Sequence, residues 1–571
     1  MACEGKRGNG SAPAGVWARV MRLYNDQAMA ERPGAILDYG AFQHPPSRLF
    51  WDYVAGAASV RPFYVGARWD LEAVAAAAKA TSSFGHPRTA LAEALARQQE
   101  GLGAERAAAQ ARQLGHPETA ALVTGQQAVL FGGPLYVLYK AVAAMKVARL
   151  LAEHSGRPVV PVFWVASDDH DFAEVRSVSV LDEAGQIVNI RYAPEHEPAG
   201  EPAARIVLDS TITALIQDLG HALPAGLNRD GLLARLEECY RPGATLSGAF
   251  ARFLSSLLPD LVILDPSDPA LKGLMLPVMT RELQEGSPTS RLADQRGKEL
   301  LAAGYHQQVP VRPGFLNLFL HADGQRRALA FEDSQIEVRG TGRRLRLEEA
   351  LRHLQAQPAE WSPGVLLRPL AQDLMLPTAA YVGGPAEVAY HAQIVPSYAH
   401  FGIPRPAIMP RPSLTLVEPS QARALESEGL TLPDLQEDPQ TILGRWVRES
   451  HPEIETAFAR VREALEREMA GVETALGELD PTLRGAADSA RGRILHQIDG
   501  LQEKATRALK KRDQVRADRL RRTRDALLPA GSFQERGLGL VSVIARHGES
   551  IVGLIGERMD PWARGHQVVD L

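Results

Sequence analysis

Hydrophobic and polar positions follow three different rhythms along this chain, and the changes of rhythm divide it. Alanine and leucine fall at helical spacing over residues 70–114, so helices are expected there. Residues 122–140 then read LVTGQQAVLFGGPLYVLYK. A short apolar run turns through Thr124, Gly125, Gln126 and Gln127 and passes Gly132, Gly133 and Pro134. It opens a helical pattern at Leu135, Leu138, Val142, Met145 and Val147, expected to end near Glu153. A second buried strand, VVPVFWV at 159–165, ends in Ala166-Ser167-Asp168-Asp169-His170-Asp171. Strand, helix and strand over 121–166 make one βαβ unit with a right-handed connection.

Past residue 178 the pattern alternates to 208, with a Pro/Glu-rich loop at 194–202, and predicts a β-rich insertion. Helices are expected over 209–257, and a buried strand at 261–264 ends in Asp265. Alternation returns over 310–340 around Asp323-Gly324, a hairpin signal. A further strand at 378–382 leads into Gly383-Gly384-Pro385 and another helix, and 404–417 is expected to close the sheet. Beyond Glu418 a coiled-coil rhythm takes over. It places Ile454, Phe458, Val461, Leu465, Met469, Val472, Leu476 and Leu479 on one stripe and Ile494, Ile498, Leu501, Ala505, Ala508 and Val515 on another. Joined near Pro481, the two helices form an antiparallel hairpin, each arm of about 40 residues reaching roughly 60 Å. The fold class is therefore α/β, a parallel-sheet core with inserted segments and a long helical coiled-coil domain. The expected divisions are a disordered 1–15, core over 16–177, an inserted segment over 178–255 and core again over 256–417, with a hairpin insertion near 305–345. The coiled-coil domain follows over 418–528, and a segment over 529–571 returns to the core with one more helix.

Composition narrows the function classes. With 571 residues, 45% hydrophobic and 23% charged, the chain is ordinary for a globular protein of several domains. A net charge of −5 gives no basic footprint for nucleic acid, and the arginine-rich run 507–524 reads as a solvated coiled-coil face. No apolar stretch is long enough to span a membrane, and residues 1–15 lack a signal-peptide core. The only cysteines, Cys3 and Cys239, exclude a disulfide framework and a cysteine zinc site, which points to the reducing cytoplasm.

Candidate chemistry gathers at strand ends, where parallel sheets bind ligands. The turn at Thr124, Gly125 and Gly133 opens a helix N-terminus suited to an anion, with Lys140 further along that helix. Neighbouring strand residues alternate, so about two of the four groups Asp168, Asp169, His170 and Asp171 can face one pocket; the others are free to cap a helix. His170 has the intrinsic pKa of a general base. A lone histidine among carboxylates lacks the paired histidines of a zinc protease, so no metal is predicted. Near the second Gly-Gly-Pro, Arg368 and Arg411 could grip a carboxylate or phosphate, and Asp373 and Glu387 an ammonium or a sugar hydroxyl. Tyr381, Tyr390, Gly383 and Gly384 crowd the same interval. No nucleophile elbow is present, and neither cysteine sits where a nucleophile would.

Five passages carry a resemblance. TGQQAVLFGGPLYVLYKA, PVFWVASDDHDFAEV, RPLAQDLMLPTAAYVGGPAEVAYHAQI, PRPSLTLVE and LPAGSFQERGLGLVSVIARHG resemble, in order, the BshC family of cysteine-adding enzymes in bacillithiol biosynthesis. The resemblance covers about residues 48–560. It implies a Rossmann-like core of nucleotidyltransferase type and a coiled coil associated with homodimers. It also implies a ligase that joins L-cysteine to the amine of glucosaminyl-malate, with an ATP or ADP site near the coiled coil. The sequence departs from the family at Val129 and Gly132, where a Gly and a Thr are expected, so a hydroxyl contact at position 132 is in doubt. On this reading the Gly125 turn and the helix after Pro134 hold phosphate or carboxylate. Asp168 or His170, with Asp169, serves as base or amine binder, and Arg368 and Arg411 as anion clamps. Gln126, Gln127 and Tyr136 are further substrate contacts.

Overall fold

The computed structural model describes residues 35–571 except 44, 65–68, 333, 334 and 513, so the stretch 1–15 lies outside the described residues. Five parallel strands form the central sheet: β1 (Ala120–Gln126), β2 (Val159–Val165), β3 (Val262–Leu264), β4 (Thr378–Gly383) and β5 (Ala407–Pro410). Their order is β3-β2-β1-β4-β5. All six β4 residues are buried, as are the first six of β1. This is the near-continuous burial that a parallel sheet needs when helices cover both faces. Helix α1 (Leu135–Ser155) links β1 to β2, and α2 (Pro269–Gln284) follows β3; α3 (Arg368–Met375) precedes β4 and α4 (Pro385–Phe401) leaves it. Strand order reverses between β1 and β4, and this switch point opens a crevice beyond their carboxyl ends. Glycine is required at Gly125, because a Cβ there would lie 2.6 Å from the Trp164 carbonyl oxygen on β2.

Two insertions hang from this frame. The first pairs Ser177–Leu181 with Ile187–Arg191 and continues through helices Thr211–Ala222, Leu227–Cys239 and Leu246–Leu257. The second lies between β3 and β4 and is larger than the expected hairpin. Strands Phe315–Ala322 and Gln325–Glu332 do turn at Asp323-Gly324, both at positive φ as a type I′ turn requires. Gln335–Val338, Arg343–Leu345 and Trp361–Pro363 extend the pair into a five-stranded antiparallel sheet.

Three expectations are corrected. Ser413–Val417 does not close the core sheet. It joins a separate sheet beside His566–Asp570 and Ile36–Leu37, and the break falls at Pro412, which has no N–H for a ladder. The coiled-coil arms α5 (Pro452–Leu479) and α6 (Leu483–Arg512) have 28 and 30 residues, so they span about 45 Å or less. Pro452 starts the first arm anew after a separate helix, Pro439–Ser450, so the helical residues before it do not lengthen the arm. The C-terminal segment forms three short helices, Gln534–Gly537, Leu540–His547 and Ser550–Arg558, and strand His566–Asp570. The single expected helix is not found, because elements this short carry little periodicity. No helix among the described residues is long and apolar enough to cross a membrane.

Candidate active site

A cavity of about 610 Å³ opens at the switch point. Its floor is a knot between the two strand ends. Lys140, only 2% exposed on α1, donates to the Gly125 carbonyl at 2.8 Å and to Gln126 Oε1 at 2.9 Å, and it pairs with Glu387 on α4. The lysine expected to serve an anion at this helix is instead buried and paired with a carboxylate. Glu387 also accepts from the Gly384 N–H at 2.7 Å and from the Tyr381 hydroxyl. Burial opposes its negative charge, but Lys140 and these hydrogen bonds outweigh it and hold the Glu387 pKa below the ordinary glutamate value.

Above this floor the wall charges fall into two groups. Arg368 packs over Trp164 and Tyr381 at 5.6 and 5.5 Å. It donates to Gln372 Oε1 and the Tyr390 hydroxyl, both at 3.0 Å, and pairs with no carboxylate among the described residues. Arg326 and Arg536 line the cavity in the same state. Arg411 differs, because Glu535 neutralises it at 2.6 Å; it braces the wall and is not a free clamp. On the acidic side, Gln127 Nε2 bridges Asp169 at 2.8 Å and Glu174 at 3.0 Å. Neither carboxylate meets a lysine or arginine within ion-pair distance among the described residues. Asp168 does: both of its oxygens receive the ammonium of Lys272, a residue 1% exposed, at 2.7 and 2.8 Å.

Two of the four groups face the cavity, Asp168 and Asp169, but they are neighbours: both lie past the end of β2, in a turn where strand alternation no longer applies. Asp171 caps the short helix Phe172–Val175 through the Glu174 N–H. His170 is not part of the lining; its Nδ1 lies 3.7 Å from Asp169 Oδ1 and its ring 6.3 Å from Phe319. Burial first, then Arg326, lowers its pKa and keeps the ring neutral near pH 7.

Four other candidates stand outside the cavity. Thr124 is buried in the sheet and donates to the Val382 carbonyl at 2.8 Å. Gly133, at φ 72°, is a packing position whose Cβ would meet Val129 at 2.9 Å. Gly383 touches the cavity only through its neighbour Gly384. Asp373 lies beneath α4, accepting from Gln372 at 2.7 Å and from the Tyr398 hydroxyl. Gly132 offers no place for a hydroxyl side chain either, since a Cβ there would meet Phe253 at 2.9 Å. The anion cradle expected at the start of α1 is occupied by the chain itself: the Leu135 N–H donates to the Leu538 carbonyl at 2.9 Å, and the Leu540 N–H to Gly133 at 2.9 Å.

Burial pushes the Asp373 carboxyl up to about 6 from 3.8. A raised folded pKa favours the protonated form, so the associated stability is present at acid pH and lost as pH rises through 6. Wild type is therefore expected to lose up to about 3 kcal/mol relative to Asp373→Asn between about pH 4 and pH 7. Denaturant titrations that give parallel pH profiles for the two proteins would contradict this.

Sequence reasoning missed Lys272, Arg326, Phe319, Glu174 and Arg536. Two carried a visible signal: Glu174 lies three residues past Asp171, in the PVFWVASDDHDFAEV passage, and Arg536 lies in the LPAGSFQERGLGLVSVIARHG passage. Most of the chain also matches known families. Residues 37–412 match the Rossmann-like N-terminal domain, and 414–571 the C-terminal coiled-coil domain, of the bacillithiol biosynthesis protein BshC. A relative from Salinibacter ruber is 33% identical over 95% of this chain and 99% of its own length. One from Koribacter versatilis is 34% identical over 89% and 94%, and one from Chlorobaculum tepidum 33% over 85% and 89%. All three are provisionally named cysteine ligase BshC. Continuous matches to both domains, over the residues that build the switch-point cavity and the coiled coil, establish that the chain belongs to the BshC family of bacillithiol biosynthesis.

Proposed function

We propose that this cavity forms the amide bond between the carboxyl group of L-cysteine and the amine of glucosaminyl-malate, giving bacillithiol. The observation that carries the reading is the separation of charge in one cavity. Among the described residues, Asp169 and Glu174 lack a lysine or arginine partner and face the same space as Arg326, Arg368 and Arg536, which lack a carboxylate partner. An amino sugar that ends in a dicarboxylate, together with an activated carboxyl group, presents the complementary charges. Asp169 receives the sugar ammonium and takes its proton, freeing the nitrogen lone pair for attack on the carbonyl carbon of cysteine activated as an acyl phosphate or acyl adenylate. The C–N bond forms as the C–O bond to the activating group breaks and phosphate or AMP leaves. Arg368, at the carboxyl ends of the central strands, faces the negative charge that develops on the carbonyl oxygen or on an activating phosphate. Asp168, already neutralised by Lys272, orients the wall and is a poor base. The free arginines are compatible with a nucleoside triphosphate as the activating co-substrate.

The decisive experiment incubates the purified protein with cysteine and glucosaminyl-malate, with and without ATP, and scores bacillithiol, AMP and ADP by mass spectrometry. No product under either condition, or faster turnover with another amino acid or acceptor, would reject the assignment. The coiled coil completes the proposal as a homodimer contact. Its two arms leave Val461, Val472, Leu479 and Leu501 between 45% and 78% exposed, an apolar stripe that a second copy would cover. Light scattering should give twice the chain mass for wild type and the single-chain mass for Val472→Glu/Leu501→Glu.

A further inference from the structure

The antiparallel sheet inserted between β3 and β4 is separate from the central parallel sheet, yet it contributes Phe319, Arg326 and Pro363 to the cavity lining. Arg326 is held on three sides. Its Nε donates to Ser362 Oγ at 2.9 Å, its Nη2 donates to the Pro363 carbonyl at 3.0 Å, and its guanidinium carbon sits 3.7 Å from the Phe319 ring centroid. Its own backbone N–H is tied to the Gly200 carbonyl at 3.0 Å, which braces the hairpin against the first insertion. Nη1 alone keeps no hydrogen-bond partner among the described residues. A guanidinium fixed by stacking and two hydrogen bonds, with one free edge toward a cavity, is preorganised for an anion and loses little entropy on binding one.

The position of this edge narrows the anion. Arg326 shares its end of the cavity with Asp168 and Asp169, while Arg368 lies over Trp164 and Tyr381 at the central strand ends. With Asp169 receiving the sugar amine, a cation close by faces the substituent carried by the same sugar. We infer that Arg326 is the specificity-determining residue for the acceptor, binding a carboxylate of its malyl group through the free edge of the guanidinium. This rests on the function proposed above and adds to it the residue that reads the aglycone. A neutral aglycone leaves the guanidinium without its anion and forgoes that discrimination.

The test compares Arg326→Ala and Arg326→Lys with wild type on two acceptors, glucosaminyl-malate and methyl glucosaminide. The malyl acceptor is expected to show a KM about 10- to 100-fold higher in Arg326→Ala, with kcat changed only a few-fold, as for loss of a charge-assisted hydrogen bond. On methyl glucosaminide the variant and wild type should have equal kcat/KM. Arg326→Lys, which restores charge without the fork, should recover part of the loss. Equal losses on both acceptors, or a fall in kcat alone, would overturn the inference by making Arg326 a general contributor to folding or chemistry. Calorimetric binding of each acceptor in the absence of cysteine gives the same comparison without turnover. If wild type forms no amide, the proposed function fails; a malyl-selective loss of binding in Arg326→Ala would still support this anion site, and a non-selective loss would remove it.

Discussion

Asp169→Asn is expected to lower kcat for amide formation by about 10²- to 10⁴-fold, the range for loss of a positioned general base. KM for the acceptor should also rise, because an amide cannot hold the ammonium. His170→Asn, by contrast, is expected to leave kcat within a few-fold. The two residues are adjacent in sequence, and the histidine has the better intrinsic pKa, so the difference is geometric. Asp169 lines the cavity, and the Gln127 amide that holds it is neutral and leaves its charge intact. His170 is not among the residues that line the cavity, and its ring lies 6.3 Å from that of the lining residue Phe319. Its pKa is already pulled below the ordinary value by burial and by Arg326. Steady-state kinetics on both variants, each checked by thermal melting for an intact fold, decides the matter. Equal losses, or a loss confined to His170→Asn, would return the base role to the imidazole.

The second large effect is on stability. Lys140→Met should cost about 3–5 kcal/mol, the usual penalty for stranding one member of a buried ion pair. Lys140 compensates Glu387 and satisfies two acceptors at the end of β1, so its loss strands a carboxylate and frees a carbonyl together. The double variant Lys140→Met/Glu387→Gln should be more stable than Lys140→Met, since it removes the uncompensated charge. The linkage has a definite sign. Glu387 in wild type has a lowered pKa, so its contribution is present at neutral pH and fades under acid. Without Lys140 burial dominates, the pKa rises, and the defect should shrink as pH falls. Denaturant unfolding at two pH values checks both statements, and a defect independent of pH would refute the account.

The sequence made β1, β2 and β4 legible because each is a short apolar run buried on both faces and bounded by a turn. It also brought Gly125, Gln127, Asp169 and Glu387 to the same crevice, since all sit at or just past the ends of those strands, and Arg368 through its place shortly before the second Gly-Gly-Pro. What it could not show were partners distant along the chain. Lys140 looked like a solitary lysine on a helix because Glu387 is supplied by the other half of the sheet. Lys272 and Arg326 lie in segments that had no visible relation to the site. The helix start at Pro134 had every local mark of an anion cradle, and only the fold reveals that Leu538 fills it. Arg411 looked like a free clamp for the same reason, since Glu535 belongs to the last part of the chain.

That last dependence has a consequence for how the protein is made. All five core strands are synthesised by Pro410, and the candidate site residues at the strand ends by Tyr390. The groups that seat the first turn of α1 and neutralise Arg411 are Leu538, Leu540 and Glu535, and the coiled-coil arms lie between. A chain emerging from the ribosome therefore carries an assembled sheet with an unfinished crevice until the whole helical arm has been translated and its end has folded back. The arm would then act as a timer, and a chain that stops short of Glu535 is expected to lack the groups that complete the crevice.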